Sequence, residues 1–412
     1  MTVSVELERA DCDLKIDWQV VKLADVVRMV TDGITADDLA ALPEVHHYSL
    51  PAFDTGEGPE IGPGAAIKSN KTIVPDDCVL FSKLNPRIPR IWRLNGSARP
   101  HSYCSTEFWP LVARTDYVDL DYLTQYLSSP AFLGHPNITP SSSTNSHQRV
   151  DRKAFEKFEF LLPPLDEQRR VAEVLRSVDE AIAANEALLN GIKVAKQGTM
   201  EAVLSGGFDE VRLETLLAET RYPMRSGPFG SALLKSELQP EGIPFLGIDN
   251  VHVERFLTVY RRFISEQKYK QLSRYTVYPG DVMVTIMGTV GRCCVVPSGI
   301  GIAISSKHVW TLTLDQDRYS PALLAWQINH LPSVLEQLQG SAQGGIMSAI
   351  SSGTLRELIV PLPSPAEVRE IEGLLLSFNN QIAALEAERE AASTLKASLM
   401  SDLLSGRVRV PA

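Results

Sequence analysis

The residues that could perform chemistry lack the spacing that catalysis or metal binding requires. The sequence contains no GxxxxGK[ST] phosphate loop, no GxGxxG dinucleotide loop, no HExxH metal motif and no GxSxG nucleophile motif. Five cysteines form no CxxC pair, and Cys293 and Cys294 lie in an apolar run that predicts buried thiols. His46, His47 and His308 have no partner at metal-ligand spacing. The sequence therefore makes no positive case for an enzyme, a metal site or a bound cofactor.

Length and composition are those of an ordinary globular protein. The 412 residues are 44% hydrophobic and 22% charged, which excludes wholesale disorder and predicts two or three domains. No apolar run approaches the roughly 20 residues of a membrane span, so no membrane partner is expected. The first residues are acidic and lack the apolar core of a signal peptide, and a cytoplasmic location is the default expectation.

Basic residues cluster in two segments of a chain that is acidic overall. The formal charge is −10, which taken alone argues against a nucleic-acid-binding protein. Residues 65–99 nevertheless hold seven basic side chains against two acidic ones, and residues 255–274 hold six against one. Such a segment is often only solvated surface. Its occurrence twice, interleaved with Asn, Ser, Trp and Tyr, favours contacts with phosphates and base edges.

An internal repeat explains why the basic segments occur twice. The stretches that begin at Pro163 and Pro363 align without a gap at an offset of 200 residues, with 15 identities in 44 columns. Upstream, Trp109 matches Trp310 at an offset of 201. The chain therefore alternates globular unit, long helix, globular unit, long helix, and the globular units diverge while the helices stay alike.

The repeated stretches are predicted to be two long helices that bury an apolar seam. Apolar residues step by four and three from Val171 through Leu175, Val178 and Ile182, and the second copy keeps this register. Each helix should run for about 40 residues, or about 60 Å. The other copy is the nearest partner for the seam, although packing on the helix's own domain is an alternative. The polar residues Asn185, Lys196 and Arg389 interrupt the seam and should fix its register.

The globular units are predicted to be mixed, of the α/β or α+β class. Short β-rich runs bounded by turn residues occur at Cys78–Ser82, Val282–Met287 and Cys293–Pro297. Helical patterns occur at Asp121–Leu127 and Pro321–His330. Two loops before the long helices, residues 141–149 and 340–345, are almost wholly polar, and they serve either as linkers or as base-reading loops.

The pattern resembles the specificity subunit of a type I restriction-modification system over residues 17–406. The most specific local matches are Pro-Leu-Asp-Glu-Gln (164–168), Ser-Asn-Lys (69–71), Ser-Lys-Leu-Asn-Pro-Arg-Ile (82–88), Ser-Thr-Glu-Phe (105–108) and Gly-Thr-Val-Gly-Arg (288–292). The second helix departs from the family pattern, because it starts with Ser-Pro-Ala-Glu-Val (364–368).

The resemblance implies that each globular unit is a target recognition domain that reads one half of a split site in double-stranded DNA. The long helices then pair as an antiparallel coiled coil with a pseudo-twofold repeat, separate the domains and dock two methyltransferase subunits. Separate restriction/translocase subunits move along the DNA and cut it. The chain itself is non-catalytic and holds no cofactor, while its partners bind S-adenosylmethionine and methylate adenine. The alternative is a coiled-coil scaffold that binds proteins rather than DNA.

Repeat and resemblance together divide the chain into six parts. They are an N-terminal tail (1–16), recognition domain 1 (17–162), a central helix (163–206), recognition domain 2 (207–362), a C-terminal helix (363–406) and a tail (407–412). The predicted DNA-binding residues come from the basic segments, the polar loops and the matching motifs. They are Lys68, Asn70, Lys71, Lys83, Asn85, Arg87, Arg90, Asn145, His147, Arg261, Arg262, Thr289, Arg292, Lys307, His308 and Gln343.

Overall fold

The chain folds into two compact units that each contain one half of each long helix. The computed structural model describes residues 17–96, 99–136, 138–139, 148–340 and 350–410. Unit 1 comprises residues 1–186 and 387–412, and unit 2 comprises residues 187–386.

Unit 1 is built from short strands and short helices that lead into the first long helix. Its strands are β1 (Gln19–Lys22), β2 (Val27–Met29), β3 (Gly33–Ile34), β4 (Val45–Tyr48), β5 (Glu60–Gly62), β6 (Lys71–Ile73), β7 (Asp77–Ser82), β8 (Ile91–Asn95), β9 (Ser102–Cys104), β10 (Phe108–Ala113) and β11 (Glu159–Leu162). Its helices are α1 (Leu23–Val26), α2 (Ala36–Ala40), α3 (Leu50–Thr55), α4 (Leu120–Leu127), α5 (Pro130–Leu133), α6 (Arg152–Glu156) and the first part of α7 (Leu165–Leu204).

Unit 2 repeats this plan after α7. Its strands are β12 (Asp209–Arg212), β13 (Met224–Ser226), β14 (Ile243–Leu246), β15 (Val251–His252), β16 (Arg255–Phe256), β17 (Phe263–Ile264), β18 (Thr276–Val277), β19 (Val282–Thr285), β20 (Cys293–Val295), β21 (Ala303–Ser305), β22 (Val309–Leu312) and β23 (Ile359–Leu362). Its helices are α8 (Glu266–Leu272), α9 (Pro321–His330), α10 (Pro332–Gly340), α11 (Ser352–Glu357) and the first part of α12 (Pro365–Leu403). The predicted strands and both predicted short helices are present.

Both units share one strand order, so the duplication extends to the globular parts. The sheet β2-β10-β7-β8 of unit 1 corresponds to β13-β22-β19-β20 of unit 2. A second sheet contains β6-β9-β4-β5 in unit 1 and β18-β21-β14-β17 in unit 2, each with a central parallel pair. The two-stranded pairs β1-β11 and β12-β23 also correspond. This agreement confirms the predicted repeat and the mixed fold class.

Polar residues begin the short helices, as expected from helix capping. Each capping side chain accepts a hydrogen bond from a backbone N–H of the first turn, which otherwise has no partner within the helix. The capping residues are Thr35, Ser49, Asp119, Ser129, Asp151, Ser265, Ser320 and Ser351.

Helices α7 and α12 pack antiparallel within unit 1. Lys396 Nζ lies 2.6 Å from Asp179 Oδ1, and Asn185 Nδ2 donates to Glu388 Oε2 at 3.3 Å. These contacts flank the apolar seam between the two helices, and the seam forms part of the hydrophobic core of unit 1. Its buried side chains are Val171, Ala172, Leu175, Met400, Leu403 and Leu404.

The same antiparallel register continues in unit 2. Lys193 Nζ lies 3.3 Å from Glu386 Oε1, and Lys196 Nζ donates to Asn379 Oδ1 at 2.8 Å. The buried side chains of this half are Leu189, Met200, Leu204, Val368, Ile371 and Leu375. The predicted antiparallel coiled coil is therefore present.

One polar residue that was predicted to interrupt the seam is largely exposed. Arg389 was expected inside the seam, but its side chain is 46% exposed and its Nη1 lies 3.8 Å from Glu186 Oε1. The inward positions of this part of α12 are Leu385 and Ala392, which are half-buried. Arg389 keeps the four-three spacing between these two residues, and its long side chain reaches out of the seam toward Glu186 of the facing helix.

The two long helices begin differently. Glu167 is buried and accepts hydrogen bonds from Trp18 Nε1 at 3.0 Å and from Arg409 Nε at 2.5 Å. Gln168, also buried, donates to the Pro163 carbonyl at 2.8 Å. The Glu-Gln pair of the first helix start is thus an internal anchor of unit 1.

The start of α12 uses a capping box instead. Glu367 Oε2 accepts from Ser364 N at 2.8 Å, and Glu367 N donates back to Ser364 Oγ at 3.4 Å. Val368 takes the place of the buried Gln and joins the core of unit 2. The departure from the family pattern is therefore accommodated without loss of the helix.

Candidate nucleic-acid interface

In unit 1, three segments meet where β7 ends. The first hairpin loop, residues 83–90, joins β7 to β8. Lys83 N donates to the Glu107 carbonyl at 2.9 Å, in the turn between β9 and β10. Asn85 N donates to the carbonyl of Gln148, near the end of the polar loop, at 2.8 Å. Segments that are distant in sequence are thus held together at one sheet end, beside the candidates Lys83 and Asn85.

The charge at this end of unit 1 is partly compensated. Arg149 Nε and Nη2 bind the two carboxylate oxygens of Glu107 at 3.0 and 2.8 Å. These hydrogen bonds hold the pKa of Glu107 below its usual range, and the nearby charge of Lys83 acts in the same direction. Sequence reasoning missed the Arg149–Glu107 pair, although Arg149 is the last residue of the polar loop.

Two arginines of the basic segment in unit 1 are paired with acidic side chains of the same unit. Arg90 makes a bidentate ion pair with Asp54, at 2.6 and 2.8 Å, and its side chain is only 14% exposed. The same contact holds the pKa of Asp54 below its usual range. Arg93 pairs with both Asp77 and Asp121. A local count of basic residues therefore overstates the charge that this segment offers to a partner.

The Ser-Asn-Lys candidates form a turn beside β6. Lys71 is buried, its Nζ donates to Ser69 Oγ at 2.6 Å, and burial lowers its pKa. Asn70 Oδ1 accepts from Ala36 N at 3.1 Å, and Lys68 Nζ donates to the Ala65 carbonyl at 2.6 Å. All three side chains are engaged with their own unit.

Unit 2 places its own loops at the equivalent sheet end. The second hairpin loop, residues 286–292, joins β19 to β20. Ile286 N donates to the His308 carbonyl at 3.0 Å, the counterpart of the Lys83–Glu107 bond in unit 1. Ser226 Oγ donates to the Lys307 carbonyl at 3.2 Å, which adds the loop after β13 to the group.

Candidates from two separate stretches of unit 2 create a positive region. Lys307 is exposed and His308 is half-buried. Burial lowers the pKa of His308, and the charges of Lys307 and Arg262 lower it further. Arg262 is paired with Asp249, and its guanidinium lies 6.0 Å from the centre of the Phe245 ring. The position that holds Glu107 in unit 1 is thus occupied here by a neutral histidine among cations.

The second hairpin loop presents unpaired polar groups. Arg292 N donates to Thr285 Oγ1 at 3.0 Å, whereas the Arg292 guanidinium makes no hydrogen bond or ion pair with the described residues. Thr289 Oγ1 is buried and has no hydrogen-bond partner in the same part of the chain. Asn85 Oδ1 in the first hairpin loop is in the same situation. The Arg292 guanidinium can donate to a ligand, whereas the two oxygens are covered by the protein itself.

The remaining candidates are either exposed on the surface or outside the described residues. Arg87 lies exposed in the first hairpin loop, and Arg261 is exposed next to β17. Asn145, His147 and Gln343 lie outside the described residues. Among the described residues, no group of three His, Cys, Asp or Glu side chains could hold a metal ion, and no helix could cross a membrane.

The predicted buried thiols are confirmed. Cys293 and Cys294 are fully buried, as are Cys78 and Cys104, and all four are free. Burial raises the pKa of Cys78, Cys104 and Cys294 to about 12, so these sulfurs stay protonated and inert.

Comparison with known proteins shows which family the chain resembles. Residues 15–194 match the model of the type I restriction modification DNA specificity domain. This match lies in the first half of the chain, and the chain is also similar to specificity subunits of type I restriction enzymes. Among curated members, it is 23% identical over 278 residues to the type I restriction enzyme MjaVIII specificity subunit of Methanocaldococcus jannaschii. It is 24% identical over 271 residues to the EcoBI specificity subunit of Escherichia coli.

These matches cover most of the chain but less than two thirds of each relative. The first covers 63% of this chain and 64% of the relative, and the second covers 60% and 56%. Solved structures show the same fold over a larger extent. A chain from a type I restriction-modification assembly has a TM-score of 0.59 at 18% identity, with 95% of this chain and 99% of that chain covered. The type I S subunit of M. genitalium gives 0.58 at 12% identity, with 96% and 98% covered.

Proposed function

We propose that the chain is the DNA-recognition subunit of a type I restriction-modification complex. Residues 17–162 and 207–362 are its two target recognition domains, and each reads one half of a split DNA target. The observation that carries this proposal is one hairpin loop at the same topological place in two units whose sequences diverge. Two readers with a common frame and different surfaces suit two half-sites of different sequence.

The chemistry of the loops supports contact with a duplex. Exposed cations such as Lys307 and Arg261 suit phosphate oxygens, which position a protein on DNA without reading sequence. The Arg292 guanidinium, which has no partner among the described residues, offers donors that suit base edges in the major groove.

The long helices are proposed to dock the partner subunits. Large apolar side chains lie on their outer faces, where a soluble monomer gains nothing from them. They are Leu188, Val194, Leu374, Leu376 and Leu395, with between 38% and 73% of each exposed. Two methyltransferase subunits bind there, and restriction/translocase subunits complete the assembly. The chain itself is non-catalytic, and the assembled complex methylates adenine and cleaves DNA.

Domain exchange tests this proposal. Residues 17–162 are replaced by the equivalent domain of a relative, and the chimaera is assembled with the methyltransferase subunits. Sequencing of methylated bases in the host DNA should show one new half-site and one unchanged half-site. A change in both half-sites would contradict the assignment of one domain to each. If the chain were instead a scaffold that binds only proteins, the assembled wild-type complex would not bind DNA sequence-specifically, and the host DNA would show no methylated motif.

A further inference from the structure

Each hairpin loop carries exposed apolar side chains at its tip. In the first hairpin loop Ile88 is 54% exposed. In the second, Met287 is 49% and Val290 is 50% exposed. The loops leave equivalent strands and begin at equivalent main-chain hydrogen bonds, so the tips occupy the same place in each unit.

Both tips are held in position by their own backbone. In the second loop, Gly291 N donates to the Thr285 carbonyl at 2.9 Å, and Gly288 and Gly291 have positive φ angles of 73° and 86°. In the first loop, Ile88 N donates to the Asn85 carbonyl at 2.8 Å, and Asn85 has a φ of 49°. Because the tips are preformed, little ordering entropy opposes their insertion into a ligand.

The surroundings of the tips suit a polyanion with an apolar interior. The second loop lies beside Lys307 and His308 and contains the unpaired Arg292. The first loop contains Arg87 and Lys83. Duplex DNA combines phosphates on its outside with stacked base faces inside, and proteins insert Ile, Met and similar side chains between base steps.

We propose that Ile88 in one unit and Met287 with Val290 in the other are wedges that enter the base stack at each half-site. This inference rests on the proposed DNA-recognition function. The two units diverge in sequence, so a feature that both keep fits a step that both half-sites must undergo and not the reading of particular bases. That step is the departure of a base from the stack, which methylation of a duplex requires. The wedge side chains occupy the space that the base leaves in the stack, and they lower the free energy cost of unstacking it.

The test uses the full complex and DNA with 2-aminopurine at the methylated adenine of one half-site. Wild-type complex should raise the fluorescence of the probe, because the base unstacks. Ile88→Ser should suppress this rise and slow methylation at the domain 1 half-site by at least about tenfold. The other half-site and the methylated motif should stay unchanged. The double variant Met287→Ser, Val290→Ser should show the converse.

Matched controls exclude a general loss of surface apolar groups. Ile61→Ser on β5 and Val259→Ser before β17 change side chains of 62% and 63% exposure outside the hairpin loops, and they should leave both signals unchanged. The thermal unfolding midpoint of each variant is compared with that of the wild type. If Ile88→Ser does not fold, the variant Ile88→Ala is used in its place.

Three outcomes would count against the inference or its basis. Normal fluorescence and methylation in the tip variants would overturn the wedges. A new base preference at the affected half-site would overturn them in favour of base-reading contacts, for example with thymine methyl groups. Failure of the wild-type complex to bind DNA sequence-specifically would instead refute the proposed function.

Discussion

At the scale of single residues, the ion pairs determine which basic side chains face a partner. Arg90 and Arg292 look alike in sequence, since each lies at the end of a hairpin loop. Arg90 is neutralised by Asp54, whereas the guanidinium of Arg292 has no partner among the described residues. The structure therefore ranks two candidates that local charge alone could not separate.

Arg292→Ala should weaken specific DNA binding by the assembled complex by about 1–3 kcal/mol and relax preference at one base pair of the second half-site. Arg261→Ala is the matched control, because an exposed phosphate-type contact should lower affinity uniformly and reduce the salt dependence. Arg90→Ala should chiefly lower the unfolding temperature, because it leaves Asp54 without its partner. Titrations at several salt concentrations on matched and mismatched duplexes measure these differences. Equal effects of Arg292→Ala on all sequences would remove it from the base-reading set.

His308 should make DNA binding depend on pH. Its pKa is lowered in the free protein by burial and by Lys307 and Arg262, so the imidazole is neutral at pH 7. Acidification through and below the ordinary value of about 6.5 adds a positive charge, and binding of the assembled complex should tighten as pH falls. Because the folded-state pKa is lowered, the same proton favours the unfolded chain, and stability falls in that window.

The comparison of wild type with His308→Gln isolates this effect. The variant should lose part of the tightening between about pH 7.5 and pH 5.5 at constant salt, since it cannot gain the proton. His46→Gln in unit 1 is the control and should leave the pH dependence unchanged. Identical pH profiles for wild type and His308→Gln would show that this histidine does not face the DNA.

The sequence predicted residue types better than residue partners. Arg262 was chosen from one stretch and the adjacent Lys307 and His308 from another, and the fold does bring the two stretches together. The burial of Lys71 and the pairing of Arg149 with Glu107 depend on strand order, and no local pattern encodes strand order. Buried oxygens without a hydrogen-bond partner among the described residues, such as Asn85 Oδ1, can likewise be identified only once the fold is known.

At the scale of elements, each unit anchors one lysine of the helix seam. Lys396 pairs with Asp179 in unit 1, and Lys196 occupies the equivalent site in unit 2. Asp179 is replaced in the second copy by Asn379, which cannot neutralise a buried lysine. The carboxylate comes instead from Glu254 in the β15–β16 turn. The helix pair is thereby tied to the globular part of unit 2.

Glu254 is held in place by several partners. It binds Lys196, and His330 Nε2 lies 2.7 Å from Glu254 Oε1. Burial alone would raise its pKa, but the hydrogen bonds and charges of these two partners bring the pKa below its usual value. Its φ of 54° is unusual for a residue with a side chain, and this geometry aims the carboxylate at the helices.

Glu254→Ala should destabilise the protein by about 3 kcal/mol or more, because Lys196 would remain buried without a counter-charge. Alanine keeps the Cβ, so backbone strain at this φ is not relieved and the change reports the lost carboxylate. Glu388→Ala, which removes an exposed acceptor of Asn185, should cost less than about 1 kcal/mol. Chemical unfolding of both variants measures the difference. The double variant Glu254→Ala, Lys196→Met should recover most of the loss.

Elements with strong periodicity were predictable, and irregular ones were not. The bounds of α7 and α12 follow from the heptad seam and the flanking prolines, and α9 spans the predicted residues. The parallel pairs β4–β9 and β14–β21 join strands that are far apart in sequence. Strands of two to six residues carry too little pattern to reveal such partners.

At the scale of the whole molecule, duplication provides two units with one strand order, which the proposed function makes two DNA-reading domains. Identity between the copies is concentrated in the helices, while the equivalent sheets share order rather than sequence. The frame is constrained by the antiparallel seam, because a change in one helix must be matched in the other. The reading surfaces carry no such constraint. This division predicts that spacer length and half-site sequence vary independently.

Insertion of four residues in each helix tests that independence. Antiparallel pairs such as Asp179 with Lys396 place Leu189 opposite Glu386, so insertions at these two points preserve the pairing elsewhere. Four residues add about 6 Å and a net rotation of roughly 40°. Two base-pair steps of about 3.4 Å rotate DNA by about 70° in the same sense. The difference of about 30° is small enough for local adjustment, and four residues act as a stutter in the seam.

The insertion variant should methylate a target with the same two half-sequences and a spacer one or two base pairs longer. Sequencing of methylated bases in the host DNA provides the measurement. The domain exchange described above is the complementary control, since it should change a half-sequence and leave the spacer as it is. An unchanged spacer with full methylation activity would mean that the helices do not set the distance between the half-sites. The distance would then have to come from the partner subunits.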